Sequence, residues 1–197
     1  SEDEEFQQKL VKSCFPSMLS NHHLHNVAGL AVTLAEMKEF GKDYHAQVIK
    51  NAKKLAECLD ENGFNVLCSE KGYTETHQVV ADISNFQDTI GLGGDIERAL
   101  EKAGIIINRN LLPLDISKYK RRYTNPGGIR LGTSELTRVG MKEAEMEQVA
   151  DFMKKVIVDQ KDPKEVKAAV EKFRQDFQKV HYAFPSDTSG YEYIQFD

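Results

Sequence analysis

The stretch Gly127-Gly128-Ile129-Arg130-Leu131-Gly132-Thr133 places one arginine on a short apolar strand between glycines. Arginine holds a carboxylate through two parallel hydrogen bonds, and glycines on both sides let backbone and small ligands approach closely. Arg130 is therefore a candidate substrate clamp. A lone arginine at a strand end is more often a solvated edge residue, so the surrounding sequence has to decide between the two.

Downstream, Met141 through Val158 has helical period. Asp162-Pro163-Lys164-Glu165 then predicts a new helix, with a capping residue, proline at the first position and glutamate at the third. Upstream, Ile105-Ile106-Ile107 reads as a strand, preceded by a helix carrying Ile96, Ala99, Leu100 and Ala103 and ended by Gly104. Phe64 to Cys68 and His77 to Ile83 read as two more strands. Before them, the apolar spacing from Val27 to Leu59 predicts one long bent helix or two helices over about Asn26 to Glu61, closed by Gly63. The order is long helix, two strands, helix, two strands, two helices. That is an α+β layer, a mostly antiparallel sheet covered by helices. The expected divisions are 1–62, 63–183 and an irregular tail over 184–197.

The chain has 197 residues, with 26 Lys and Arg against 31 Asp and Glu. A net charge of -5 argues against nucleic acid as the main partner, which would need a concentrated basic face. Lys118-Tyr119-Lys120-Arg121-Arg122 is the locally basic run, read as a solvated loop face. Cys14, Cys58 and Cys68 show no paired spacing and read as reduced thiols. The absence of a long apolar run excludes a membrane helix, and the acidic start Ser1-Glu2-Asp3-Glu4-Glu5 is unlike a leader. A cytoplasmic protein is expected. The histidines His22, His23 and His25 have no Cys, Asp or Glu at ligand spacing, so no metal site is expected. Gly91-Leu92-Gly93-Gly94 lacks the spacing of a dinucleotide fingerprint and reads as a loop. Thr133, Ser134 and Thr137 have no base beside them, which leaves nucleophilic serine chemistry unsupported.

The segment from Gly128 to Gly140 resembles the signature near the C-terminus of serine hydroxymethyltransferases. Phe15-Pro16 through His25-Asn26-Val27-Ala28-Gly29-Leu30-Ala31 agrees in order and spacing, as do Ile107-Asn108-Arg109-Asn110 with Pro113 and Asp115. So do Lys50-Asn51-Ala52-Lys53 and the strand at Thr76-His77. The resemblance covers roughly residues 13 to 159. It implies the small C-terminal domain of a fold-type I enzyme dependent on pyridoxal phosphate, preceded by the long helix that leaves the large domain.

The same resemblance implies the site. Arg130 matches the arginine that binds the α-carboxylate of serine or glycine, and Asn108 and Asn110 match a segment lying against the reduced pterin, with Asn110 the favoured contact. Ser20-Asn21-His22-His23 stands where most members carry a glycine-rich loop that reaches the cofactor phosphate of a neighbouring subunit, which makes Ser20, Asn21 and His22 candidate phosphate contacts in a homodimer. The variant resembles archaeal members and implies tetrahydrofolate or tetrahydromethanopterin as cosubstrate. His25 is expected to be packed at the helix start. The Schiff-base lysine belongs to a threonine-rich run that this sequence does not contain, and 14 residues precede Phe15. The expectation is a C-terminal piece without catalytic residues of its own, inactive alone, whose partner is the N-terminal half that binds pyridoxal phosphate. Another fold-type I enzyme, an aldolase or aminotransferase, and a non-catalytic interaction domain of that fold are the alternatives.

Overall fold

Asp3 opens the first helix, α1 (Glu4–Lys12), by accepting the Phe6 N–H at 3.1 Å. Glu4 and Glu5 in its first turn and Lys9 and Lys12 in its last complement the helix dipole. The acidic start is thus also a helix start, a signal the sequence reading did not use. The computed structural model describes residues 2–21 and 23–185. A turn over Ser13–Met18 leads to the long helix α2 (Leu24–Glu61). The chain divides into two compact units, Ser1–Glu39 and Phe40–Asp197. In the first unit every described residue up to Ala35 is exposed, Leu24, Val27, Leu30 and Leu34 among them.

In the second unit α2 buries Val48, Ala52, Leu55, Ala56 and Leu59 at three-and-four spacing. Gly63 closes it at φ +88°, with its N–H on Asp60 O and the Phe64 N–H on Leu59 O, both at 3.0 Å. This is the left-handed cap expected from glycine. Strands β1 (Asn65–Val66), β2 (Gln78–Asp82), β3 (Asn108–Asn110) and β4 (Gly128–Gly132) form one sheet in the order β1-β2-β4-β3, with every pairing antiparallel. Helices α3 (Gly93–Lys102), α4 (Ser134–Arg138), α5 (Glu143–Ile157) and α6 (Pro163–Arg174) belong to the same unit. Val79, Ala81, Ile129 and Leu131 of the sheet share one core with Ile96 and Leu100 of α3, Met146 and Met153 of α5, and Val166 and Val170 of α6. Each large aliphatic chain fully buried there contributes about 1.5–3 kcal/mol.

Three elements depart from the sequence reading. The third strand starts at Asn108 instead of Ile105, because the Ile105 N–H closes α3 on Leu100 O at 2.9 Å and cannot join the ladder. A short helix, α4, follows β4 directly. Gly93 and Gly94 are not loop but the first turn of α3, and glycine is needed there because a Cβ would meet Pro126 O at 2.9 Å and Thr124 O at 2.5 Å. In that close approach the Gly93 N–H reaches Pro126 O and the Gly94 N–H reaches Asn125 Oδ1, each at 2.8 Å. The open end of α3 is thereby spent on the segment that leads into β4.

A buried amide ties α2 to the segment that follows β4. Asn51 is fully buried, and its Nδ2 donates to Thr137 Oγ1 at 2.8 Å and to Met141 O at 2.9 Å. Gln47 Nε2 donates to Asn51 Oδ1 at 2.9 Å and to Glu143 Oε2 at 2.8 Å. Thr137 Oγ1 donates to Thr133 O at 2.8 Å, and Thr133 Oγ1 returns to Val48 O at 3.0 Å. Tyr44 adds an O–H to Ser134 O at 3.0 Å.

Leaving buried donors and acceptors unpaired costs roughly 1–3 kcal/mol per group. Asn51→Leu is therefore expected to lower the unfolding free energy by about 3 kcal/mol in urea titration. Its own N–H of the backbone and the hydrogen bond from Gln47 hold Glu143 below the ordinary value of 4.5. A depressed carboxylate adds stability that is present above 4.5 and disappears as pH falls through its folded value. Unfolding midpoints measured from pH 6 downward should fall less steeply in Glu143→Gln than in the parent chain.

Candidate functional site

Side chains alternate across a strand, so the register sorts the sheet into two faces. Val79, Ala81, Ile129 and Leu131 are buried, whereas Gln78, Val80, Asp82 and Arg130 are half-buried on the opposite face. In the ladder Arg130 lies opposite Val80 on one side and Asn108 on the other, and Asn110 lies opposite Gly128. Directly opposed residues have Cβ atoms about 4.5–5.5 Å apart. Arg130, Asn108 and Asn110 therefore share one patch of the polar face.

Among the described residues the Arg130 guanidinium has no hydrogen-bond or ion-pair partner, although it is half-buried on the central strand β4. The neighbouring arginines are committed. Arg109, on the other face of β3, pairs with Glu97 of α3 at 2.9 Å. Arg98 pairs with Asp95 at 2.7 Å. Asp95 is desolvated, which raises its pKa, but the Leu92 N–H, Asn125 and Arg98 outweigh that and hold it below its ordinary value. A partly desolvated, unpaired guanidinium is a standing site for an anion.

Asn108 is exposed, and Asn110 is half-buried, with its Nδ2 donating to Leu111 O at 3.0 Å. The Asn110 Oδ1 side of the amide is left for other donors. A cleft of about 680 Å³ reaches Arg130 and Asn108 together with His77, Gln78 and Gly132 at the end of the sheet, and runs on between Ile105, Leu136 and Phe173. Ser20 and Asn21 lie exposed in the first unit, just before α2. His22 lies outside the described residues. His25 is exposed within α2 and not packed, its ring set edge-on to that of His23 at 5.8 Å.

The basic run is not uniformly a solvated face. Lys118, Lys120 and Arg122 are exposed, but the Arg121 side chain is 13% exposed and turns inward onto Asp115. Sequence reasoning missed this because a run of like charges gives no sign of which member finds a buried partner. The isolated Asp115 five residues after Asn110 was the available signal.

No helix among the described residues is long and apolar enough to cross a membrane. Residues 1–153 match the family model of serine hydroxymethyltransferase. The serine hydroxymethyltransferase of Nitrosopumilus maritimus is 48% identical over 192 residues, which are 98% of this chain and 42% of that protein. That of Methanocaldococcus jannaschii is 48% identical over 188 residues, 95% of this chain and 43% of the relative. Among solved structures, L-threonine transaldolase from Pseudomonas fluorescens, in its internal aldimine state, superposes with a TM-score of 0.72 at 32% identity, over 86% of this chain and 37% of that one. The chain spans about two-fifths of the length of the curated relatives it matches, and its helix-covered antiparallel sheet is that of a fold-type I pyridoxal-phosphate enzyme. With a family model matched over most of its length, this chain belongs to the serine hydroxymethyltransferase family.

Proposed function

We propose that this chain is the C-terminal portion of a serine hydroxymethyltransferase that interconverts serine and glycine and passes the one-carbon unit to a reduced pterin, tetrahydrofolate or tetrahydromethanopterin. The observation that carries this reading is the unpaired, half-buried Arg130 beside Asn108 and Asn110 on the polar face of the sheet. The guanidinium donates two hydrogen bonds to the substrate carboxylate and so fixes which bond at the α-carbon faces the cofactor. Asn110, and Asn108 beside it, offer amide donors and acceptors to the amide-like edge of the pterin.

The donor set at the start of α2 fits a phosphate. Ser20 and Asn21 bring a hydroxyl and an amide, and the first turn of the helix holds no acidic residue that would repel a dianion. Ser20, Asn21 and His22 would hold the phosphate of pyridoxal phosphate in a neighbouring subunit. The cofactor, when bound, supplies the electron sink for cleavage at the α-carbon. The exposed apolar side chains of α2, from Leu24 to Leu34, suit cover by the half that bears the Schiff-base lysine or by the second subunit of a cytoplasmic homodimer. The likeness to an L-threonine transaldolase favours, as a second reading, aldol exchange on an amino acid held by the same Arg130 without any pterin at Asn110.

The complete enzyme, supplied with pyridoxal phosphate, is expected to develop a visible absorption band on glycine that grows when a reduced pterin is added. A band indifferent to the pterin would favour the second reading, and no band would overturn both. Arg130→Met keeps the side-chain stem and removes the charge. It is expected to change the unfolding free energy by no more than about 0.5 kcal/mol, because no partner is lost. The same variant should raise the KM for serine roughly a hundredfold, the equivalent of about 3 kcal/mol.

A further inference from the structure

We propose that Asp115 is a positioning residue for substrate binding: with Arg121 it latches both ends of the loop between β3 and β4, and so sets Asn110 against Arg130. The inference rests on the function proposed above for those two residues. Asp115 is 1% exposed, and both of its oxygens are used. Oδ2 accepts the Leu112 N–H at 2.9 Å and the Gly127 N–H at 2.8 Å. Leu112 lies two positions after Asn110, and Gly127 three before Arg130. One oxygen atom therefore holds the point where the chain leaves β3 and the point where it enters β4.

Arg121 locks that carboxylate. Its Nη1 donates to Asp115 Oδ1 at 3.2 Å and to Ser84 Oγ at 2.8 Å, and its Nη2 donates to Gln87 Oε1 at 2.9 Å. Its backbone N–H adds a bond to Asp115 O at 2.8 Å. The pair is thus anchored to the turn that follows β2. Gly127 is held from the other side as well, since its carbonyl accepts the Ile83 N–H at 2.9 Å. Only glycine fits between these partners, because a Cβ there would run into the Arg121 guanidinium and meet Asp115 Oδ1 at 2.7 Å.

A buried ion pair adds little net stability beside apolar packing of equal volume. Three donors converging on one carboxylate do fix geometry, and a displacement of about 1 Å at a binding group can cost a hundredfold in rate.

Two readouts test the latch. In the 197-residue chain, Asp115→Asn and Arg121→Met are expected to speed amide hydrogen exchange at Leu112 and Gly127 roughly tenfold or more while Val79 and Ile96 stay protected. Unchanged exchange at Gly127 would overturn the proposal. In the complete enzyme both variants should raise the KM for the reduced pterin roughly ten- to hundredfold, with smaller changes in kcat and in the KM for serine. Leu100→Ala, a core variant that removes none of the loop's hydrogen bonds, serves as the control that lowers stability and leaves KM in place. Should Asp115→Asn lower stability as Leu100→Ala does and leave KM unchanged, Asp115 is merely structural and the proposal falls. If Asp115→Asn fails to fold, Ser84→Ala and Gln87→Ala remove only the outer anchors of Arg121, and a smaller KM rise is expected of them; no rise in either sinks the idea. Absence of serine turnover in the parent enzyme overturns the functional reading instead, and exchange at Gly127 then decides the latch.

Discussion

The buried amide of Asn51 is the constraint on which the rest of the second unit depends. Two of its hydrogen bonds go to Thr137 and Met141, and Thr137 passes the connection to Thr133, the residue that follows β4. The long helix is thus fastened to the segment that carries Arg130 by directional bonds, in addition to the apolar contacts of Ala52, Leu55 and Leu59. Apolar packing alone tolerates sliding and rotation of a helix on a sheet, whereas a fully satisfied polar network in a low-dielectric core admits one register. Among the described residues, no buried side-chain nitrogen or oxygen lacks a partner. The network therefore specifies the placement of α2 without an orphaned group to offset its gain.

The arginines of the unit divide by what the fold has already given them. Arg109 is spent on Glu97 and Arg121 on Asp115, Ser84 and Gln87, and each of those contacts joins elements distant in sequence. Arg130 alternates with Ile129 and Leu131 on a strand whose other face is core, so it projects from the best-fixed part of the sheet toward the open face. Charge that has been used structurally is unavailable to a ligand. Among the described residues, the half-buried guanidinium left unspent is the one beside the two asparagines.

Much of this was readable from residue order. The helix caps at Gly63, Gly104 and Asp162, the antiparallel layer and the strand around Arg130 follow from spacing and turn chemistry, which are local. What could not be read is non-local. The late start of β3 depends on an N–H taken by α3, the glycines at 93 and 94 serve a contact with residues 124–128 rather than a loop, and the inward turn of Arg121 depends on a carboxylate that the sheet places nearby. The candidate site was proposed from residue types, because few side chains other than arginine and asparagine suit a carboxylate and an amide-like edge. Their sharing of one face was not, since it comes from the register of β3 against β4.

That register explains why the two halves of the candidate site need different support. Arg130 sits on a strand flanked on both sides by ladder partners, β2 and β3, so its backbone is fixed by the sheet itself. Asn108 and Asn110 sit on a three-residue strand at the sheet edge, paired on one side only. An edge strand this short contributes few hydrogen bonds and frays readily. A binding constellation is only as accurate as its least constrained member. The loop after Asn110 must therefore be held by something other than the ladder, and the one buried carboxylate in that loop already accepts N–H groups from both of its ends. Precision at the edge of the sheet is borrowed from the Asp115–Arg121 pair, which ties the loop after Asn110 to the turn after β2 and so steadies the amides beside Arg130.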